Sequence, residues 1–161
     1  MKYRVKYFFA VTLVIGLLSK SNAQIIHVGG KMDKNLMFNA TLQAPFFFHK
    51  KMPYELMFGV DYTTKNNDAP SGLAPQVTFG YFLVDSPNKS YLVFAGLTSG
   101  YLFDFNKQFD NQLRLSPHLY TEFGFITVKV GGDYLPSMQK IYPFLSLGIG
   151  GGHLFRHFKI M

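Results

Sequence analysis

The stretch YELMFGVDYTT, Tyr54 to Thr64, threads two residue sets through each other. Tyr54, Leu56, Phe58, Val60 and Tyr62 fall on one parity, and Glu55, Met57, Gly59, Asp61 and Thr63 on the other. Successive side chains of a strand point to opposite sides, so the stretch reads as a strand with one apolar and one mostly polar face. Which face meets the outside is left open. A soluble sheet turns its apolar face into a core, whereas a membrane barrel turns it out into lipid.

The same two-residue period runs along the rest of the chain. The apolar set is even from Leu36 to Phe48, odd from Leu73 to Leu83, odd from Tyr91 to Phe105 and odd from Leu113 to Phe123. It is even again from Ile126 to Val130 and odd from Ile141 to Ile149. With IIHVGG as a shorter first strand, eight strands are predicted. Polar connections GKMDKN, KNNDAPSG, NKQFDNQ and PSMQK alternate with HKKMP, DSPNK and a very tight turn around Gly124. In EFGFIT, a two-residue Gly124-Phe125 turn pairs Phe123 with Ile126 and carries the apolar set from odd to even. Glycine at the first turn position predicts a type II′ hairpin. Longer loops at one end, short turns at the other and an even strand number fit an outer-membrane barrel with both termini at the short-turn end. The predicted fold is all-β: an eight-stranded up-and-down antiparallel transmembrane β-barrel with a filled lumen.

The first residues stand apart from this pattern. Lys2, Arg4 and Lys6 precede an apolar run from Tyr7 to Leu18, and Ser21-Asn22-Ala23 supplies small residues before Gln24. That order is the secretory signal pattern, predicting residues 1–23 as a signal peptide cleaved after Ala23 and residues 24–161 as one barrel domain. The run is too short for a spanning helix, which needs about 20 apolar residues. Removing the segment takes four of the 16 basic residues and none of the 9 acidic ones, leaving 12 against 9, so +7 falls to +3. The basic balance is thus largely a targeting feature, and no nucleic-acid partner is implied. The chain has no cysteine, which removes disulfides, thiolate metal sites and a lipoprotein acylation site.

Three features turn the apolar face outward. The polar face carries Gly59, Gly80, Gly96, Gly100, Gly131, Gly148, Gly150 and Gly152. A solvated surface would carry Lys and Glu instead, whereas small residues relieve crowding inside a narrow barrel. The charges on that face have both signs: Glu55, Asp61, Asp104, Glu122 and Asp133 with Arg114 and Lys129, alongside His118. Buried charges persist only when partnered, so these residues predict a plugged lumen rather than an open channel. Aromatics gather near strand ends, Phe46, Phe48, Tyr54, Tyr91 and Phe123 toward the short turns and Tyr62, Tyr101, Phe103, Phe105 and Tyr134 toward the loops. Two such girdles, about 25 Å apart, mark the lipid–water interfaces of these barrels.

The five histidines show no metal-ligand spacing. His118 and Glu122 share a face, but four strand residues separate them by about 13 Å. His27 and His49 sit near strand ends, and His153 and His157 lie in HLFRHFKIM, which is expected to complete the last strand. GIGGG, Gly148 to Gly152, is not a phosphate loop, because neither a helix nor Lys-Ser/Thr follows it. Some eight-stranded outer-membrane barrels are lipid A-modifying enzymes, and the deacylase type carries His-x-Ser on a lipid-facing strand. Here His118 is followed by Leu119 and Tyr120, so that pattern is not met, and no catalytic residue, cofactor or metal is expected.

With a signal ending Ala23-Gln24, alternating aromatic strands and a glycine-rich last strand, the mature chain resembles the small outer-membrane β-barrel proteins of Bacteroidota-type bacteria. Within it, QVTFGYFLVDSPNKSYLVFAGLTSGYLFDFN, Gln76 to Asn106, resembles the central hairpin of the conjugal transfer protein TraO family. The resemblance implies a non-enzymatic, structural or interaction component of the cell envelope and of a conjugal transfer apparatus. Its partners would be outer-membrane lipid and other envelope proteins. One departure is the ending Lys159-Ile160-Met161, where such barrels end on an aromatic assembly signal. Two other readings stand beside this one: a secreted or periplasmic barrel holding a small hydrophobic ligand in an apolar interior, and an outer-membrane lipid-modifying enzyme.

Overall fold

The computed structural model of the chain describes residues 25–48, 52–86, 91–104 and 110–152. The expected signal segment, the side chains of Phe46 and Phe48, Phe105, His49 and the tail from His153 lie outside the described residues. Eight strands follow in order: β1 (Ile25–Met32), β2 (Leu36–Phe48), β3 (Tyr54–Thr63), β4 (Gly72–Ser86), β5 (Tyr91–Leu102), β6 (Gln112–Phe123), β7 (Ile126–Leu135) and β8 (Lys140–Gly151). Each pairs antiparallel with its sequence neighbour, and β8 closes on β1 through Ile26↔Gly151 to Met32↔Leu145. The fold is a closed, eight-stranded, up-and-down antiparallel barrel, the architecture that the alternation predicts.

The Gly124 turn has the predicted geometry. Phe123 pairs with Ile126. Gly124 has φ +60°, and among the described non-glycine residues only Gln139 has positive φ, so Phe125 keeps negative φ. A type I′ turn would need positive φ at both central residues, which leaves type II′.

Two boundaries differ from expectation. β1 runs through Lys31 and Met32, which pair with Met37 and Leu36, so GKMDKN is not a connection throughout. Polar composition made Lys31 read as loop, although it shares the parity of His27. In β4 a bulge between Phe82 and Val84 interrupts the register. Phe82 keeps the inward parity of Thr78 and Gly80, and the extra residue leaves Leu83 and Val84 both outside, which returns Asp85 to the inward side.

The distribution of side chains is inverted relative to a soluble domain. Among the described residues, 22 buried side chains are polar or charged and 13 are apolar, while 25 large apolar side chains are exposed. Outward strand positions include Leu36, Phe58, Phe79, Leu97, Leu119, Leu147 and Ile149. Their described polar members are Ser86, Ser99 and Thr121, and none is Asp, Glu, Lys or Arg. Asp85 and Lys140 sit on the inward parity, at the two rims.

Candidate functional site: the barrel lumen

The inward positions stack in three layers. Toward the short turns, Ile25, Met57, Phe82, Leu92, Phe94 and Tyr120 form an apolar plug. Phe94 stacks on Tyr120 at 4.8 Å between ring centroids and meets Phe82 edge-on at 5.7 Å. Toward the loops, Met37, Ala69, Leu135 and Tyr142 pack with Met138 beside them. The β3–β4 loop reaches this second plug by folding into the barrel mouth, where Ala69 and Ser71 are fully buried. Asn66 N–H donates to Ser71 Oγ at 3.0 Å, and Asn35 Nδ2 donates to Asp68 Oδ2 at 2.8 Å.

Between the plugs lies a polar layer centred on four alternating charges. Asp61 on β3 accepts from Arg114 Nη2 on β6 at 2.9 Å, from Thr41 Oγ1 at 2.6 Å and from Asn39 Nδ2 at 2.9 Å. The same Arg114 nitrogen reaches Gln76 Oε1 at 3.1 Å, and Arg114 Nη1 lies 4.0 Å from Asp133 on β7. Asp133 accepts from Ser116 Oγ at 2.5 Å and forms an ion pair with Lys31 of β1. The series Asp61–Arg114–Asp133–Lys31 therefore crosses the lumen from β3 to β1 with signs alternating. Each carboxylate has a cation and hydroxyl or amide donors, the arrangement that makes buried charge tolerable.

Beside this series, His27 Nδ1 bonds Thr127 Oγ1 at 2.6 Å and its Nε2 bonds Ser146 Oγ at 2.8 Å. His118 Nδ1 bonds the Ser116 carbonyl at 2.9 Å, and its ring meets Phe94 edge-on at 5.9 Å. A Cβ on Gly96 would lie 2.5 Å from His118 Nε2, so the imidazole occupies space that only glycine leaves free. Gln43, Thr78 and Thr98 form a further hydrogen-bonded row, with contacts of 2.6 and 2.7 Å.

Asp61, Arg114, Asp133 and His118, read from the sequence as lumen residues, come together in this layer. Lys129 lies near it with its Nζ 5.5 Å from the Phe144 ring centroid, and it joins none of the ion pairs among the described residues. Glu55 and Glu122 are buried toward the short turns, where Glu122 accepts from Gly152 N–H at 2.8 Å and Tyr120 hydroxyl at 3.3 Å. Asp104 sits at the loop end, its N–H donating to Asn111 Oδ1 at 3.0 Å. Sequence reasoning missed Lys31, His27, Gln76, Ser116, Thr127 and Ser146 as members. Parity was the available signal, since all six continue the polar rows of their strands.

Among the described residues, the aromatics read as girdles point outward. Tyr54 packs with Phe79 at 6.3 Å, Tyr91 with Phe123 at 4.7 Å and Tyr101 with Phe103 at 5.1 Å. Tyr62 and Tyr134 occupy outward positions on β3 and β7. Tyr81 and Phe125 are further exposed aromatics toward the short turns.

A cavity of about 10 Å³, enough for about one water, lies among His27, Thr41, Gln43, His118 and Lys129. Among the described residues no three His, Cys, Asp or Glu side chains converge as a metal site. Among the described residues, this cavity has room for about one water and none for an organic ligand. No protein family, curated protein or solved structure matches the chain.

Proposed function

We propose that the protein is a non-enzymatic outer-membrane β-barrel with a closed lumen, exported by the segment cleaved after Ala23, and a structural or interaction component of the cell envelope. The observation that carries this reading is the uncharged outer wall: every described outward strand position lacks Asp, Glu, Lys and Arg. In water such a wall would be an aggregation surface far beyond the few hundred Å² that soluble monomers expose. In a bilayer it costs nothing, and the closed ladder leaves no lipid-exposed sheet edge. Aromatics near both strand ends support the same placement.

A soluble barrel for a hydrophobic ligand would need the opposite arrangement, an apolar cavity inside a charged exterior. The lipid-modifying alternative is weakened by His118, whose ring is buried behind Gly96 and bonded to a main-chain carbonyl. A role within a conjugal transfer apparatus draws its support from the Gln76 to Asn106 resemblance. Membrane fractionation tests the placement: the mature protein is expected in the outer-membrane fraction, soluble only with detergent and heat-modifiable on gels. Release into aqueous buffer without detergent would overturn it.

A further inference from the structure

Besides tyrosines, Ser86, Ser99 and Thr121 are the polar side chains described on the outer wall, and Ser99 lies in a groove there. The groove has a volume of about 380 Å³ and crosses from β3 to β6. Phe58 and Val77 form one bank, Tyr101 and Leu113 the other, and the smaller Pro75 and Ser99 lie between them. That size falls within the range of sites for small organic molecules, about 300–1,000 Å³.

A carbonyl and a hydroxyl at this groove are left over from the wall's own hydrogen bonding. Leu73 and Phe103 exchange both main-chain bonds, at 3.2 and 2.8 Å, and the same register resumes at Gln76↔Gly100. Doubly bonded pairs recur at every second residue of an antiparallel ladder, which makes Pro75 and Tyr101 the next such pair. Pro75 has no N–H, so the Tyr101 carbonyl lacks its ladder donor while the wall stays closed around it. The Ser99 hydroxyl has no hydrogen-bond partner among the described residues. Ser99 is about 7 Å along the strand from Tyr101, so the two stand just inside the loop-end girdle, at the depth where a lipid chain begins.

We propose that this groove binds one hydrocarbon chain carrying a hydroxyl near its head. The chain lies between the two banks, and its hydroxyl donates to the Tyr101 carbonyl while accepting from Ser99. An ester oxygen can accept from Ser99 but has no hydrogen for the carbonyl, whereas a hydroxyl answers both. The inference rests on the outer-membrane placement proposed above and adds a preferred lipid chemistry to it.

Native mass spectrometry of the full mature protein in detergent micelles, with equimolar β-hydroxymyristate and myristate, tests it. The wild-type protein is expected to retain β-hydroxymyristate about threefold to tenfold more, as one or two hydrogen bonds imply. Pro75→Ala restores the missing N–H and should remove most of that preference, and Ser99→Ala should reduce it. Thr121→Ala, which deletes a hydroxyl elsewhere on the wall, should leave it unchanged. Equal retention of the two acids by the wild-type protein, or a preference that either groove variant leaves intact, would overturn the site. A dimer mass untouched by either acid and lost in Ser99→Trp would give the groove to a second copy and overturn it as well. Retention is read without a bilayer, so failure here is separate from failure of the membrane placement, which fractionation judges.

Discussion

Asp61 shows how a membrane-compatible interior is built from single residues. Its carboxylate is held by Arg114, Thr41 and Asn39 at 2.6 to 2.9 Å, so removing the cation strands a buried anion. Arg114→Met is expected to destabilise the barrel by about 3–5 kcal/mol, and adding Asp61→Leu should restore part of that, because an absent pair costs less than a broken one. Denaturant titration of both variants in micelles, followed by circular dichroism, checks the order. At Gly96 the constraint is steric. Gly96→Val is expected to cost about 1–3 kcal/mol by displacing the His118 ring, measured in the same titration. The members of the charged layer on central strands were legible from parity and sign: Asp61, Arg114 and Asp133. Lys31 was not, because a lysine beside Gly29-Gly30 and ahead of Asp33-Lys34-Asn35 has the composition of a turn, and only its pairing with Met37 of β2 and Ser146 of β8 makes it strand.

Elements were fixed most firmly where a turn left no alternative. Gly124 has φ +60° and nothing within 4 Å of a built Cβ, so any penalty for substitution there is purely a backbone one. Gly124→Val should cost about 1–2 kcal/mol, and Gly124→Asn considerably less, since Asn tolerates the left-handed region. Refolding yield and denaturation midpoint separate the two variants. The bulge at Phe82 and the apolar plugs were not legible. Alternation reports which residues share a face, but where inward and outward residues are both apolar, as around Phe94 and Tyr120, it cannot assign them. Those plugs need bulky residues on the same parity that elsewhere carries Thr98, Ser116 and Gly131, a choice set by position along the barrel axis rather than by local pattern.

For the whole molecule, the three-layered lumen and the uncharged wall lead to separate expectations. With apolar plugs at both ends and a cavity of about 10 Å³, reconstituted protein should give no steady single-channel conductance in planar bilayers. Stable steps in the wild-type trace would contradict the plugged interior. A lysine on the wall, as in Leu147→Lys, should cost about 2–4 kcal/mol in a bilayer if that position lies near the midplane. The face question raised by Tyr54 to Thr64 has a direct optical answer, because the chain contains no tryptophan. Phe79→Trp places a lone indole on the outer wall and Phe94→Trp one inside the plug. In liposomes of brominated phospholipid, the Phe79→Trp emission should be strongly quenched and the Phe94→Trp emission little changed. Quenching of the inner indole alone, or of neither, would show that the apolar wall does not face lipid.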